Sequence, residues 1–244
     1  MPKPVLLLLP GMLCDRASWG AVPDALSDIA DIRVIDYGSA DTIGAMADAA
    51  LAQAPERFAV AGHSMGGRVA QTVQKRASAR VSGLGLFGTS CEAPANAEAL
   101  AAERAVRQEQ IDLARRLGLR GFAETAWLAR MIHPTRRADA ALVEAFLEMM
   151  DRQTLETMQS HINAGLTRAD TTAWLSEIAC PTLVLAGDSD AGRPAPIHRA
   201  MAARIPGATL VLVPQSGHMV MMEQPAAVAT AMRGWLERIA HAPQ

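Results

Sequence analysis

Short runs rich in Val, Ile and Leu recur along the chain at Val5 to Leu9, Ile32 to Asp36, Phe58 to Gly62, Val81 to Phe87, Thr182 to Ala186 and Thr209 to Val213. Each is bounded by turn residues. A near-continuous apolar run of this length reads as a strand buried on both faces, which is how strands of a parallel sheet look in sequence. Between most of the runs lie segments of helix length, for example Thr42 to Ala54 and Met65 to Ala77. Strands alternating with helices indicate βαβ units around a parallel sheet. The pattern therefore predicts an α/β fold with six mostly parallel strands and helices on both faces.

The alternation breaks once, after the fourth run. From Ala93 to Thr172 there is no strand pattern, and the spacing predicts helices. Val106, Leu113 and Leu117 fall on one helical face; Leu142, Phe146 and Met149 share another, as do Leu155, Ile162 and Leu166. Residues 93–172 are thus expected as a helical insertion, with residues 1–92 and 173–244 forming the sheet-bearing core. Pro94 and Pro134 punctuate the insert, and the sheet resumes after Cys180-Pro181. There is no internal repeat or low-complexity tract, and the tail after Ala240 is expected to fray.

Composition narrows the function classes. The 244 residues are half hydrophobic and 20% charged, with a formal net charge of -2 and no block of like charges. Nucleic acid and acidic membrane surfaces have no electrostatic handle on such a chain. Acidic and basic residues of the insert nearly balance, so it is expected to offer no strong field for a charged substrate. The three cysteines, Cys14, Cys91 and Cys180, include no C-x-x-C pair, so neither a disulfide framework nor a thiolate zinc site is indicated. No run reaches the roughly 18 apolar residues of a membrane span, and the apolar run at Val5 is too short for a signal-peptide core. A cytoplasmic protein is the expectation.

The chemistry begins at Gly62-His63-Ser64-Met65-Gly66, a G-x-S-x-G directly after a strand pattern and directly before a helix pattern. In that context a serine sits on a sharp strand-to-helix turn with its hydroxyl exposed, and small flanking residues relieve crowding. A serine hydroxyl is a weak nucleophile and needs a base. Of six histidines, His218 is best placed, in Ser216-Gly217-His218-Met219 after the sixth strand, with Glu223 and Pro225 marking the next helix. His133, His161, His198 and His241 read as surface histidines, and His63 as a neighbour of the serine rather than its base. The base needs an acceptor on its other nitrogen. Asp188 and Asp190, in the loop after the fifth strand, are both available, and the order Ser, Asp, His is that of hydrolases. For the oxyanion the amides of Met65 and of Met12, in Pro10-Gly11-Met12-Leu13 after the first strand, are the candidate donors.

With these motifs assembled, the chain resembles α/β-hydrolases of the lidded type, a group that includes carboxylesterases, enol-lactone hydrolases, carbon–carbon bond hydrolases and cofactor-free haloperoxidases. The resemblance runs from Val5 to about Ala240. It rests on L-L-L-L-P-G-M at Leu6 to Met12, a following Trp19, G-H-S-M-G at Gly62 to Gly66, G-D-S-D at Gly187 to Asp190, and S-G-H-M with E-Q-P at Ser216 to Pro225. It implies an α/β-hydrolase fold with the helical insert as a lid. The family pattern G-x-x-D, counted from Gly187, puts the orienting acid at Asp190. Relatives begin the oxyanion loop with His-Gly where this chain has Pro10-Gly11, and the chain starts at what would be the family's third strand.

The implied activity is cleavage of an ester or lactone of a small molecule through an acyl-enzyme on Ser64, with no metal or organic cofactor. Leu13, Trp127 and Met219 are candidate substrate contacts, and Met131, Phe146 and Met158 of the insert are expected near the acyl pocket. Carbon–carbon bond hydrolysis or peracid formation on the same triad is the enzymatic alternative, since one fold hosts several chemistries. A ligand-binding protein with a retired site is the alternative from another class, and an intact triad argues against it. Nothing in the sequence bears on oligomeric state.

Overall fold

The computed structural model describes residues 3–242. Its centre is a six-stranded sheet, all parallel, made of β1 (Val5–Leu9), β2 (Asp31–Val34), β3 (Phe58–His63), β4 (Val81–Phe87), β5 (Thr182–Gly187) and β6 (Thr209–Val213), in the order β2-β1-β3-β4-β5-β6. All six expected strands form. The second is shorter at its end than its apolar run, because pairing with β1 stops at Leu8 opposite Val34, after which the chain turns to bring the Tyr37 hydroxyl onto the Pro10 carbonyl.

Period-2 alternation sorts the strand side chains onto two faces. Leu7, Leu9, Val60, Leu84, Leu86 and Val184 face one core, completed by α2 (Ile43–Ala52), α3 (Met65–Arg76) and α8 (Ala195–Arg204). Leu6, Leu8, Ala59, Ala61, Leu183 and Leu185 face the other, against α1 (Val22–Leu26), α9 (Val220–Glu223) and α10 (Pro225–His241) with Trp19 and Trp235. Burial on both faces explains why β3 is buried at every position, while edge strands β2 and β6 are partly exposed. β1 connects outward to β2, whereas β3 connects the opposite way to β4. The chain therefore parts at the carboxyl ends of β1 and β3, the crevice where open α/β sheets bind ligands.

Between β4 and β5 lie α4 (Ala97–Phe122), a π-helical turn (Ala123–Trp127), α5 (Leu128–Met131), α6 (Ala140–Asp151) and α7 (Leu155–Leu166). They build a third apolar cluster with Leu142, Phe146, Met149 and Ile162, closed below by Leu13 and Met219. One expected face is corrected. Val106 and Leu117 are 47% and 48% exposed, and α4 instead turns Ile111 and Ala114 inward, with Arg107 and Gln110 lining a cleft. Periodicity missed this face because it carries polar residues where it borders the cleft. α4 is also broken at Gly118, whose φ of 72° lies in the left-handed region. At the other end the expected fraying after Ala240 is corrected at His241, which is still helical, and Ala242 caps α10 through its amide on the Ile239 carbonyl; residues 243–244 of that tail lie outside the described residues. Among the described residues no helix is long and apolar enough to cross a membrane.

Candidate active site

Ser64 stands between the last residue of β3 and the first of α3 with φ 55° and ψ -113°, a conformation that costs a non-glycine residue on the order of 1–3 kcal/mol and persists only when the surroundings impose it. Here they do. The Ser64 amide donates to the Phe87 carbonyl at 2.8 Å, and its own carbonyl accepts from the Thr89 hydroxyl at 2.7 Å. The turn is so tight that a Cβ on Gly62 would lie 2.0 Å from the Gly66 carbonyl oxygen, and one on Gly66 would lie 2.1 Å from that of Leu9. The glycines of the G-x-S-x-G are therefore required by backbone contact rather than by flexibility.

His218 reaches Ser64 from the loop after β6, with Nε2 3.0 Å from the serine Oγ and Nδ1 2.6 Å from Oδ2 of Asp190. Of the two carboxylates left open by the residues, Asp190 is buried against His218, while Asp188 is exposed and accepts the neighbouring Ser189 hydroxyl. Burial pushes the Asp190 pKa up, but His218 and the amides of Gly192 and Arg193 outweigh it and hold the carboxyl below its ordinary value. The acid is thus ionised where it can hold the imidazole's tautomer and orientation.

Two side chains read as unremarkable from the sequence turn out to brace this arrangement. His63 is buried beneath His218, ring centroids 4.7 Å apart, and its Nε2 lies 2.9 Å from the His218 carbonyl, to which it donates; burial lowers its pKa to about 3, so the ring stays neutral. Glu223, expected only to mark a helix start, is 1% exposed. Its Oε1 accepts the Gly217 amide at 2.9 Å and its Oε2 the His133 amide at 2.8 Å, while the Met219 amide donates to the Met131 carbonyl. The loop carrying His218 is thereby fastened to the helical insert. Burial raises the Glu223 pKa, and the two amides partly offset it.

The loop after β1 faces Ser64: a Cβ on Gly11 would meet the serine Cβ at 3.3 Å. Within it the Cys14 amide is taken by the Gly11 carbonyl and the Leu13 amide by Nδ1 of His161, which leaves the Met12 amide without a partner among the described residues. Met65 opens α3, where first-turn amides lack intrahelical acceptors. Met12 and Met65 therefore carry amides free to donate to an oxygen atom placed beside Ser64.

His161 was expected on a polar surface. It is 6% exposed, projecting from α7 onto the loop after β1, and burial lowers its pKa to about 4. His198 is likewise fully buried, so two of the four histidines read as surface residues belong to the interior. Helical periodicity cannot distinguish them, because imidazole is small and polar enough for either side.

A cleft of about 740 Å³, counted out to its open mouth, lies over Ser64 and His218. Trp127, Met131, Phe146 and Met219 line it, together with Arg107 and Arg193. Two expected neighbours do not. Leu13 is fully buried in the third core beneath the insert, held there in a left-handed conformation (φ 57°), and Met158 is fully buried in the same cluster.

A parallel six-stranded sheet that presents a serine on a strained strand–helix turn to a histidine and a buried carboxylate defines a hydrolase architecture. The chain belongs to the alpha/beta hydrolase family, whose sequence profile matches residues 6–231. Among solved structures, a thermophilic esterase from Thermogutta terrifontis, determined with malate bound, is 30% identical and superposes with a TM-score of 0.84 over 98% of this chain and 91% of that one. Two curated relatives are also similar. The pimeloyl-[acyl-carrier protein] methyl ester esterase of Nitrosomonas europaea is 24% identical over 91% of both chains. The biotin biosynthesis bifunctional protein BioHC of Cellvibrio japonicus is 25% identical over 99% of this chain, which spans 49% of that protein's length.

Proposed function

We propose that the protein is a serine hydrolase of small carboxylic esters or lactones, acting through an acyl-enzyme on Ser64. The observation that carries this reading is the line of hydrogen bonds from Ser64 Oγ through His218 to Asp190, at 3.0 and 2.6 Å, with the serine held at positive φ. His218 takes the serine proton as Oγ attacks the substrate carbonyl, and Asp190 stabilises the imidazolium. The Met12 and Met65 amides hold the tetrahedral oxyanion. The imidazolium then protonates the leaving alcohol, and water repeats the cycle on the acyl-enzyme. Hydrolysis of an ester is favoured over carbon–carbon cleavage or peracid formation by the similarity to proteins named as esterases.

The helical insert serves as a lid in this reading, since Trp127, Met131 and Phe146 reach the cleft from it and its 131–133 segment is bonded to the loop of His218. Cys14, Cys91 and Cys180 are all free thiols, in keeping with a reducing, cytoplasmic setting. The test is turnover of p-nitrophenyl acetate and labelling of Ser64 by a fluorophosphonate. Ser64→Ala is expected to fold, to escape labelling and to lose activity by a factor on the order of 10⁶, the scale known for a serine protease. Turnover near wild type in Ser64→Ala would overturn the assignment.

A further inference from the structure

The near balance of charge along the insert does not survive folding. A second lobe of about 490 Å³ adjoins the first, and the two share Met12, Ser64, Arg107 and Arg193 as walls. Arg68 and Arg168 complete the lobe's basic lining, so four guanidinium groups drawn from α3, α4, the chain after α7 and the loop of Asp190 converge beside the candidate nucleophile. They are close enough to repel one another. Arg68, Arg107 and Arg193 are each held below the ordinary guanidinium value, first by burial and then in part by neighbouring positive charge, to which Arg168 contributes in all three cases.

Their counterions are too few. Glu103 binds Arg168 at 2.9 Å and stands 3.8 Å from Arg107. Asp190 is committed to His218, and Glu92 is exposed, with one carboxylate oxygen on the Cys91 amide. Asp170 feels the charge of Arg68 while accepting the Ala93 and Thr172 amides, and Arg130 adds a further guanidinium on the wall of the first lobe. Five positive charges thus face four negative ones, which leaves one uncompensated. Among the described residues neither Arg68 nor Arg193 has a carboxylate within ion-pair distance. The Arg193 guanidinium bonds only the Gly192 carbonyl, and that of Arg68 bonds the Thr171 hydroxyl and the Glu92 carbonyl. A partly desolvated guanidinium without a counterion is costly in a structural role but suits recognition of an incoming anion, where its fork of donors matches a carboxylate.

We infer that the ester cleaved here carries a carboxylate, bound in the lobe beside Ser64 by Arg107 and Arg193 with Arg68 and Arg168 setting the field; the inference rests on the serine-hydrolase reading above. One substrate carboxylate closes the local charge balance. It also explains why α4, otherwise apolar toward the insert's core, presents Arg107 to the cleft.

The experiment compares two ester pairs by proton release at low ionic strength. Monomethyl glutarate against methyl valerate puts the charge on the acyl side, and 3-acetoxybenzoate against phenyl acetate puts it on the alcohol side. The expected result is that the anionic member of at least one pair is favoured about tenfold or more in kcat/KM, as a charge-assisted contact gives. That preference should shrink as salt is added. It should fall toward unity in Arg193→Gln and Arg107→Gln and be partly retained in Arg107→Lys. Neutral esters matching or exceeding their anionic partners in both pairs would overturn the inference while leaving the hydrolase reading intact. Should no ester turn over, the hydrolase reading fails, and thermal stabilisation of the wild-type protein by glutarate decides the anion site alone. A shift present in wild type and lost in Arg193→Gln supports it, and no shift in wild type refutes it.

Discussion

His161 offers a quantitative test of how the insert is tied to the loop after β1. In the folded protein its Nδ1 must be unprotonated to accept the Leu13 amide at 3.1 Å, and burial lowers its pKa from 6.5 to about 4. In the unfolded chain the ring titrates near its ordinary value. As the pH falls from 6.5 towards 4 the unfolded state gains a proton that the folded state refuses, so stability is lost in that window on acidification. At pH 5 the difference amounts to about 2 kcal/mol, from RT times the logarithm of the ratio of the two binding polynomials. His161→Gln removes this titration and keeps an amide oxygen able to accept from Leu13. The assay is urea unfolding followed by tryptophan fluorescence at pH 7 and pH 5, for wild type and variant. Wild type is expected to lose about 2 kcal/mol more than the variant over that interval. The buried His63, with its pKa near 3, adds its own acid sensitivity to both proteins and cancels in the comparison. Equal losses in the two proteins would refute the reasoning, because they would mean that His161 is free to protonate in the folded state.

Two further outcomes follow from the site. Asp190→Asn should lower kcat by about 10⁴, the cost of the wrong imidazole tautomer in a serine protease, whereas Asp188→Asn, at an exposed carboxylate that accepts the Ser189 hydroxyl, should change it little. The reverse ranking in p-nitrophenyl acetate turnover would move the acid to Asp188. Trp127→Ala opens the apolar lobe of the cleft and should shift preference from acetate toward octanoate esters; an unchanged ratio of kcat/KM would remove Trp127 from the substrate's path.

How much of this was legible beforehand divides along a physical line. Strand and helix existence came from local pattern. Apolar runs of five to seven residues read as strands of a parallel sheet whether central or at its edge, and the G-x-S-x-G turn needs glycines where a Cβ added to Gly66 would lie 2.1 Å from the Leu9 carbonyl oxygen. Short-range sterics and hydrophobic period therefore determine the α/β sheet, the elbow at Ser64 and the candidate base His218 from the sequence by itself. Residues far apart in sequence had no such signal. The residues alone left Asp188 and Asp190 open and only the resemblance pointed to Asp190; the fold decides which carboxylate is buried against His218, 28 residues away. The interior places of His161 and Glu223, and the withdrawal of Leu13 from the cleft, depended on how the insert docks. Above all, a chain of net charge -2 concealed a cluster of arginines, because the total charge is a sum over the sequence, whereas the potential at Ser64 is set by distances that only the folded chain decides.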